Sequence, residues 1–159
     1  LTMDVNTVAP MVLTLQVLPD MLKRNRGHIC NIASAGGMLG NPKMSVYGAS
    51  KWAVIGWSES MRIELQQRKA NVHVTTVAPY FISTGMFQGV RSIFPILKPE
   101  PTAKKIIRAI ERNTIFAGIP FGYHFIRFWQ AILPLRVFDW LFGTVFGIYR
   151  TMDHFTGRK

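Results

Sequence analysis

Apolar residues recur along this chain with helical and strand-like periods in alternation, and the changes of period divide it into elements. Residues 3–25 carry an apolar stripe at helical spacing and end in a basic turn before Gly27, the signature of a helix and its stop. Pro10 and Pro19 interrupt the stripe and predict a kink or break. The apolar run "HICNIAS", residues 28–34, is bounded by turn residues and reads as a buried strand. "AGGMLGNPKM" behind it is a loop. A second helix runs over 45–69, with Val46, Ala49, Ala53, Ile55 and Met61 among its apolar positions. Residues 71–79, "NVHVTTVAP", form a β-branched strand closed by proline. Residues 80–101 show no clean period, 102–113 are an amphipathic helix with Ile106, Ile107 and Ile110 on one side, and 114–120 look like a third strand.

Strand–helix–strand–helix–strand predicts an α/β fold: a parallel sheet with right-handed crossovers, covered on both faces. Three strands are few for a free-standing parallel sheet, which is normally buried on both faces. Residues 1–120 therefore read as the C-terminal half of a doubly wound domain, and 121–159 as a hydrophobic helical extension. No G-x-G-x-x-G occurs, and the chain opens on Leu1 inside a helical pattern. Both features predict that a glycine-rich phosphate-binding turn lies upstream.

Composition changes this picture in two places. The net charge of +11 is uneven, with 8 Lys/Arg against 4 Asp/Glu in residues 1–90 and 11 against 4 in 91–159. In the second half the cations are interleaved with long apolar runs, which suits an anionic membrane surface and argues against nucleic acid. The single cysteine, Cys30, excludes an internal disulfide framework; in its apolar run it reads as a structural thiol. His28, His73, His124 and His154 lack metal-ligand spacing.

Candidate chemistry begins with "YGASK". Tyr47 and Lys51 are one turn apart on a helix, so phenol and ammonium share a face. A nearby cation lowers a tyrosine pKa, and a tyrosine so tuned can exchange a proton with an alcohol or carbonyl. Ligands of open α/β sheets sit beyond the carboxyl ends of the strands. Ser34 falls at the end of the first strand, Pro79 to Thr84 leave the end of the second, and Asn6 lies on the preceding helix. The polar candidates converge on one rim.

These motifs resemble those of the short-chain dehydrogenase/reductase family, built on a Rossmann-type fold. "DVNTVAP", "NIASAGG", the thirteen-residue step from Ser34 to Tyr47, "YGASK" and "APYFISTGM" carry the resemblance, which covers residues 1–120. It implies Tyr47 as general acid/base, with Lys51 lowering the phenol pKa and bonding the nicotinamide ribose. Ser34 would bond the substrate oxygen, and Asn6 would hold a water linking Lys51 to solvent. Pro79, Ile82 and Thr84 would meet the nicotinamide end of NAD or NADP, with NAD favoured. The family's usual Pro-Gly is Pro79-Tyr80 here, a departure in the cofactor segment.

The tail, with its longest uncharged run from Trp140 to Tyr149, is too short to span a bilayer, for which about 20 residues are needed. Two short amphipathic helices hinged near Pro134 could lie in a membrane interface, arginines at the headgroups, or cap the substrate pocket. The tail resembles the branch of the family containing epidermal retinol dehydrogenase and lipid-droplet 17-beta-hydroxysteroid dehydrogenases. That resemblance implies a cytosol-facing enzyme on the endoplasmic reticulum membrane or lipid droplets, dimeric, acting on a lipophilic alcohol, with all-trans-retinol/retinal the favoured pair. Ser34, Met38, Met86 and Phe87 are the expected substrate contacts, with Leu39, Ile93, Phe94, Ile96 and Leu97 completing an oily pocket. A hydroxysteroid or other lipid alcohol is the alternative substrate, and a non-catalytic membrane-docking chain the alternative function.

Overall fold

The computed structural model describes residues 1–157. Three parallel strands, β1 (Gly27–Ile32), β2 (Val72–Pro79) and β3 (Phe116–Ile119), lie in the order β1-β2-β3. The register pairs Ile29 with Val74 and Cys30 with Thr75, then Val77 with Ala117. Side chains alternate across a strand, so this register sorts the two faces. Ile29, Val72 and Val74 pack with Met61 and Leu65 of helix α2 (Ser45–Gln67) and with Leu18 and Met21 of helix α1 (Ala9–Lys23). Val77, Ala117 and Ile119 pack with Ala109 and Ile106 of helix α3 (Pro99–Glu111), Cys30 joining them. The result is the partial doubly wound α/β sheet that the periodicity predicts.

The kink expected at Pro10 takes a particular form. Pro10 stands in the first turn of α1 and has no N–H to give; ahead of it, residues Asp4–Val8 form a π-helical turn whose last bond runs from Ala9 N–H to the Asp4 carbonyl. Pro19 is accommodated inside α1. By length and composition alone, the segment Asp4–Lys23 is long and apolar enough to cross a membrane. Its Val8, Val12, Leu15 and Val17 are exposed, while Thr7, Thr14, Leu18 and Met21 face the protein.

Helix α3 starts three residues before its expected boundary. Pro99 fits the first turn, where no N–H is required, and Thr102 Oγ1 donates to the Lys98 carbonyl at 2.7 Å. The third strand is also shorter than the expected 114–120.

The largest core lies beyond the carboxyl ends of the strands, and the C-terminal segment helps to build it. Helices α4 (Ile126–Ile132) and α5 (Leu135–Phe138) bracket Pro134, and α5 runs into a π-helical turn over Asp139–Val145. Tyr123, Ile126, Phe138, Ile148 and Met152 are buried with Met38, Leu39, Met44, Tyr80 and Phe81. The tail is thus a folded cap on the domain. Arg127, expected among headgroups, instead pairs with Glu59 of α2 and stands 5.5 Å from the Phe116 ring centroid. The remaining apolar face of the tail, with Phe121, Phe128, Leu135 and Trp140, is exposed. Farther on, the tail straps the segment after β2. Thr156 N–H donates to the Gln88 carbonyl at 3.0 Å, and Arg91 N–H to the Thr151 carbonyl at 3.1 Å.

Candidate active site

Ser34 leaves β1 in an extended conformation, and the backbone then closes a tight turn over Ala35–Gly37. Ser34 Oγ accepts the Gly36 N–H at 3.1 Å, which fixes the hydroxyl at the mouth of the sheet. Gly37 lets this turn reach α2. A Cβ there would stand 2.7 Å from the Lys51 carbonyl carbon and 2.8 Å from its oxygen. The contact is backbone to backbone, so no side chain can yield.

Tyr47 and Lys51 follow on the first two turns of α2. Ser50, between them, is fully buried and organises the site. Its hydroxyl donates to the Tyr47 carbonyl at 2.7 Å and accepts from Asn6 Nδ2 at 3.1 Å. Thr7 Oγ1 donates to the Ser50 carbonyl at 3.0 Å. The π-helical turn carrying Asn6 is therefore bolted to the helix carrying Tyr47. Replacing Ser50 by alanine leaves the Asn6 amide without this acceptor. We expect Ser50→Ala to cost roughly 1–3 kcal/mol of unfolding free energy, checked by urea denaturation.

One cavity of about 230 Å³ collects the predicted residues: Asn6, Ser34, Tyr47, Lys51, Pro79, Ile82, Thr84, Met86 and Phe87 all line it. Met38 does not. It is 2 % exposed within the core, and its carbonyl accepts from Gln130 Nε2 at 2.6 Å, so it supports the loop from beneath. Ile93 and Ile96 are exposed, and Leu97 forms a bridge with Ile82 that ties the cofactor segment to the start of α3. Tyr80, at the departure from the family pattern, turns its ring into an aromatic cluster with Phe81, Phe94 and Tyr123. Its hydroxyl lies 2.7 Å from Ser92 Oγ, and its N–H donates to the Ile119 carbonyl.

Sequence reasoning missed three contributors. Ser50 looked like a spacer inside "YGASK", Gly37 looked like an ordinary loop glycine, and Ile148 reaches the cavity from the tail. Only the paired glycines after Ser34 signalled anything.

Electrostatics correct one expectation. Burial pushes the Tyr47 phenol above the usual tyrosine range, opposed by the nearby Ser34 hydroxyl. Lys51 does not win that contest. Its Nζ donates to the Ile32 carbonyl at 2.9 Å and sits 5.9 Å from the Tyr47 ring centroid, while burial pushes its own pKa down. On this balance the Tyr47 phenol is a weaker acid than free tyrosine. Cys30, half-buried, is likewise pushed up by burial, away from the thiolate.

Tyr80 and Tyr123 are raised by burial as well. A raised tyrosine pKa stabilises the fold while the unfolded phenol is still protonated. That contribution is complete below the unfolded value of about 10 and is lost as pH climbs above it towards the folded values. We expect unfolding free energy to fall with pH above about 10, more steeply than in Tyr123→Phe, as measured by urea denaturation across pH.

The fold and this rim define a class: a partial Rossmann-type α/β domain with serine, tyrosine and lysine lining one cavity at the carboxyl ends of parallel strands. The short chain dehydrogenase family model matches residues 1–93, and the chain belongs to that family. It is 37% identical over 161 residues to epidermal retinol dehydrogenase 2 of Mus musculus, covering 98% of this chain and 52% of that protein. It is 36% identical over 142 residues to retinol dehydrogenase 10 of Homo sapiens, covering 85% of this chain and 42% of the relative. The chain thus spans about half the length of the curated relatives it matches. Among solved structures, a short chain dehydrogenase from Burkholderia cenocepacia in complex with NADP superposes with a TM-score of 0.68 at 25% identity, over 82% of this chain and 53% of that one. A 4-hydroxyisoleucine dehydrogenase complexed with NADH and succinate gives a TM-score of 0.61 at 29% identity, over 74% and 54%.

Proposed function

We propose that this chain is the catalytic half of an oxidoreductase interconverting a lipophilic alcohol and its carbonyl, with all-trans-retinol and retinal the favoured pair. The observation that carries the reading is one cavity where Ser34, Tyr47 and Lys51 meet a predominantly apolar wall. A nicotinamide bound there supplies the two-electron exchange with the substrate carbon. The residues fit its nicotinamide end. Lys51 and Tyr47 would hold the ribose, and Pro79, Ile82 and Thr84, which line the same cavity, would meet the nicotinamide. NAD is favoured over NADP. Hydroxysteroids and other lipid alcohols are alternative substrates.

The chain's own residues perform the proton chemistry. In reduction, Tyr47 donates its proton to the oxygen that gains charge. Ser34 Oγ, oriented by the Gly36 amide, donates to the same oxygen. In oxidation the phenolate takes the hydroxyl proton; a raised pKa opposes this step, and Lys51 offsets the opposition only when its ammonium turns from the Ile32 carbonyl towards the phenol. Asn6 sits behind, with its amide held by Ser50, and completes a relay from Lys51 through water.

We further propose that the exposed apolar face of the tail seats on an endoplasmic reticulum or lipid-droplet surface, facing the cytosol, with a substrate dissolved in lipid near the mouth. The exposed valine and leucine face of α1 is the surface offered for a homodimer. The test of the activity is retinal formation, followed by absorbance, from all-trans-retinol with NAD and separately with NADP. Conversion of retinol in preference to ethanol supports the reading. Failure to convert retinol, steroid or long-chain alcohols with either cofactor sinks it, and failure to bind either cofactor leaves the membrane-docking alternative.

A further inference from the structure

A second cavity, of about 350 Å³, lies between the C-terminal segment and the core. Its walls include Phe94 from the segment after β2, Tyr123 and Trp129 before and within α4, and Phe142 and Phe146 after α5. The Tyr123 phenol and the Trp129 indole N–H are the only polar side-chain groups among the lining residues. The Tyr123 hydroxyl is itself buried. Leu39 and Ile148 line this cavity and also the one holding Ser34 and Tyr47. They are a shared partition.

Size argues that the two are used together. The cavity at Ser34, about 230 Å³, falls below the roughly 300 Å³ at which small-molecule sites begin. Joined across Leu39 and Ile148, the two lie well inside the usual range of roughly 300–1,000 Å³. The polar groups for the reacting oxygen are confined to the first cavity, and hydrocarbon walls dominate the second.

We propose that the second cavity receives the distal hydrocarbon end of the substrate whose oxygen lies between Ser34 and Tyr47, and that Leu39 and Ile148 form the passage between them. The inference rests on the alcohol–carbonyl reading of the first cavity. It narrows the substrate class to alcohols and carbonyls with an uninterrupted apolar body. A charge at the far end would be buried with no ionic partner, because no lining residue of the second cavity is acidic or basic apart from the phenol.

The experiment measures binding of straight-chain primary alcohols of six to fourteen carbons by calorimetry, in the wild-type chain and in two variants. Gly122 lines the second cavity and not the first; it is exposed and a Cβ there would meet nothing within 4 Å, so Gly122→Leu adds bulk at the cavity's rim without a backbone clash. Phe142→Trp narrows the same cavity from another element. Wild-type affinity should rise about fourfold per added methylene up to the longest alcohols. In both variants the rise should stop at shorter chains, with hexanol binding unchanged and melting temperatures near wild type. Dodecanol should bind more than about 30-fold tighter than 12-hydroxydodecanoate. A wild-type profile that stops where the variants stop, variants that keep the full profile, or equal binding of the carboxylate would each overturn the proposal. Hexanol binding indifferent to Ser34→Ala would instead overturn the reading of the first cavity, whatever the chain-length profile.

Discussion

Tyr47→Phe should reduce turnover by about 10²–10⁴-fold while changing the dissociation constant for the nicotinamide cofactor by less than about threefold. The phenol lines the same cavity as Ser34, and burial pushes its pKa up. Phenylalanine preserves the edge-on packing against Phe87, where the ring centroids are 5.8 Å apart. Only the hydroxyl is lost, so the fold and the cavity wall remain. Steady-state kinetics paired with a cofactor titration check the split. Retained turnover would show that another group moves the proton.

Gly37→Ala should lower turnover by about 10²-fold and also lower the melting temperature, although the residue touches neither substrate nor cofactor. A methyl at that position collides with the carbonyl carbon and oxygen of Lys51, which are backbone atoms and cannot swing aside. The turn over Ala35–Gly37 must then move away from α2. Ser34 travels with the turn while Tyr47 stays with the helix, so the two hydroxyls lose their common focus. Displacements near 1 Å are sufficient for a loss of that order. Gly36→Ala is the control: its Cβ would stand 3.5 Å from the Tyr47 ring, an ordinary contact. A smaller effect at Gly36 than at Gly37 is expected, and the reverse order would show that the turn is not what positions Ser34.

The sheet is legible in the sequence because parallel strands are short apolar runs separated by helical periods. β1 and β2 are bounded by Gly27, by the loop after Ser34 and by Pro79. The Tyr47–Lys51 pair was legible because helical geometry places residues four apart on one face. What was hidden depends on contacts between distant segments. Ser50 holds Asn6 across 44 positions, and Gln130 reaches the Met38 carbonyl across 92. No local period encodes either contact. The start of α3 was misplaced because Pro99 and Pro101 read as loop residues, whereas a helix accepts proline in its first turn. Met38 was misassigned because an apolar residue beside a site has no sequence mark that separates lining from support. The partner of Arg127 was hidden in the same way: it pairs with Glu59, 68 positions away.

Vibrational spectroscopy of a bound carbonyl reads, without turnover, whether a substrate oxygen lies between the Ser34 and Tyr47 hydroxyls. Isotope-edited infrared difference spectra of retinal, labelled at its carbonyl carbon and bound to the protein, would be compared with retinal in hydrocarbon solvent. Two hydrogen bonds should shift the carbonyl stretch to lower frequency in the wild type, with the shift partly relieved in Ser34→Ala and again in Tyr47→Phe. A bound carbonyl that absorbs at its hydrocarbon-solvent frequency, unchanged in both variants, would contradict the account.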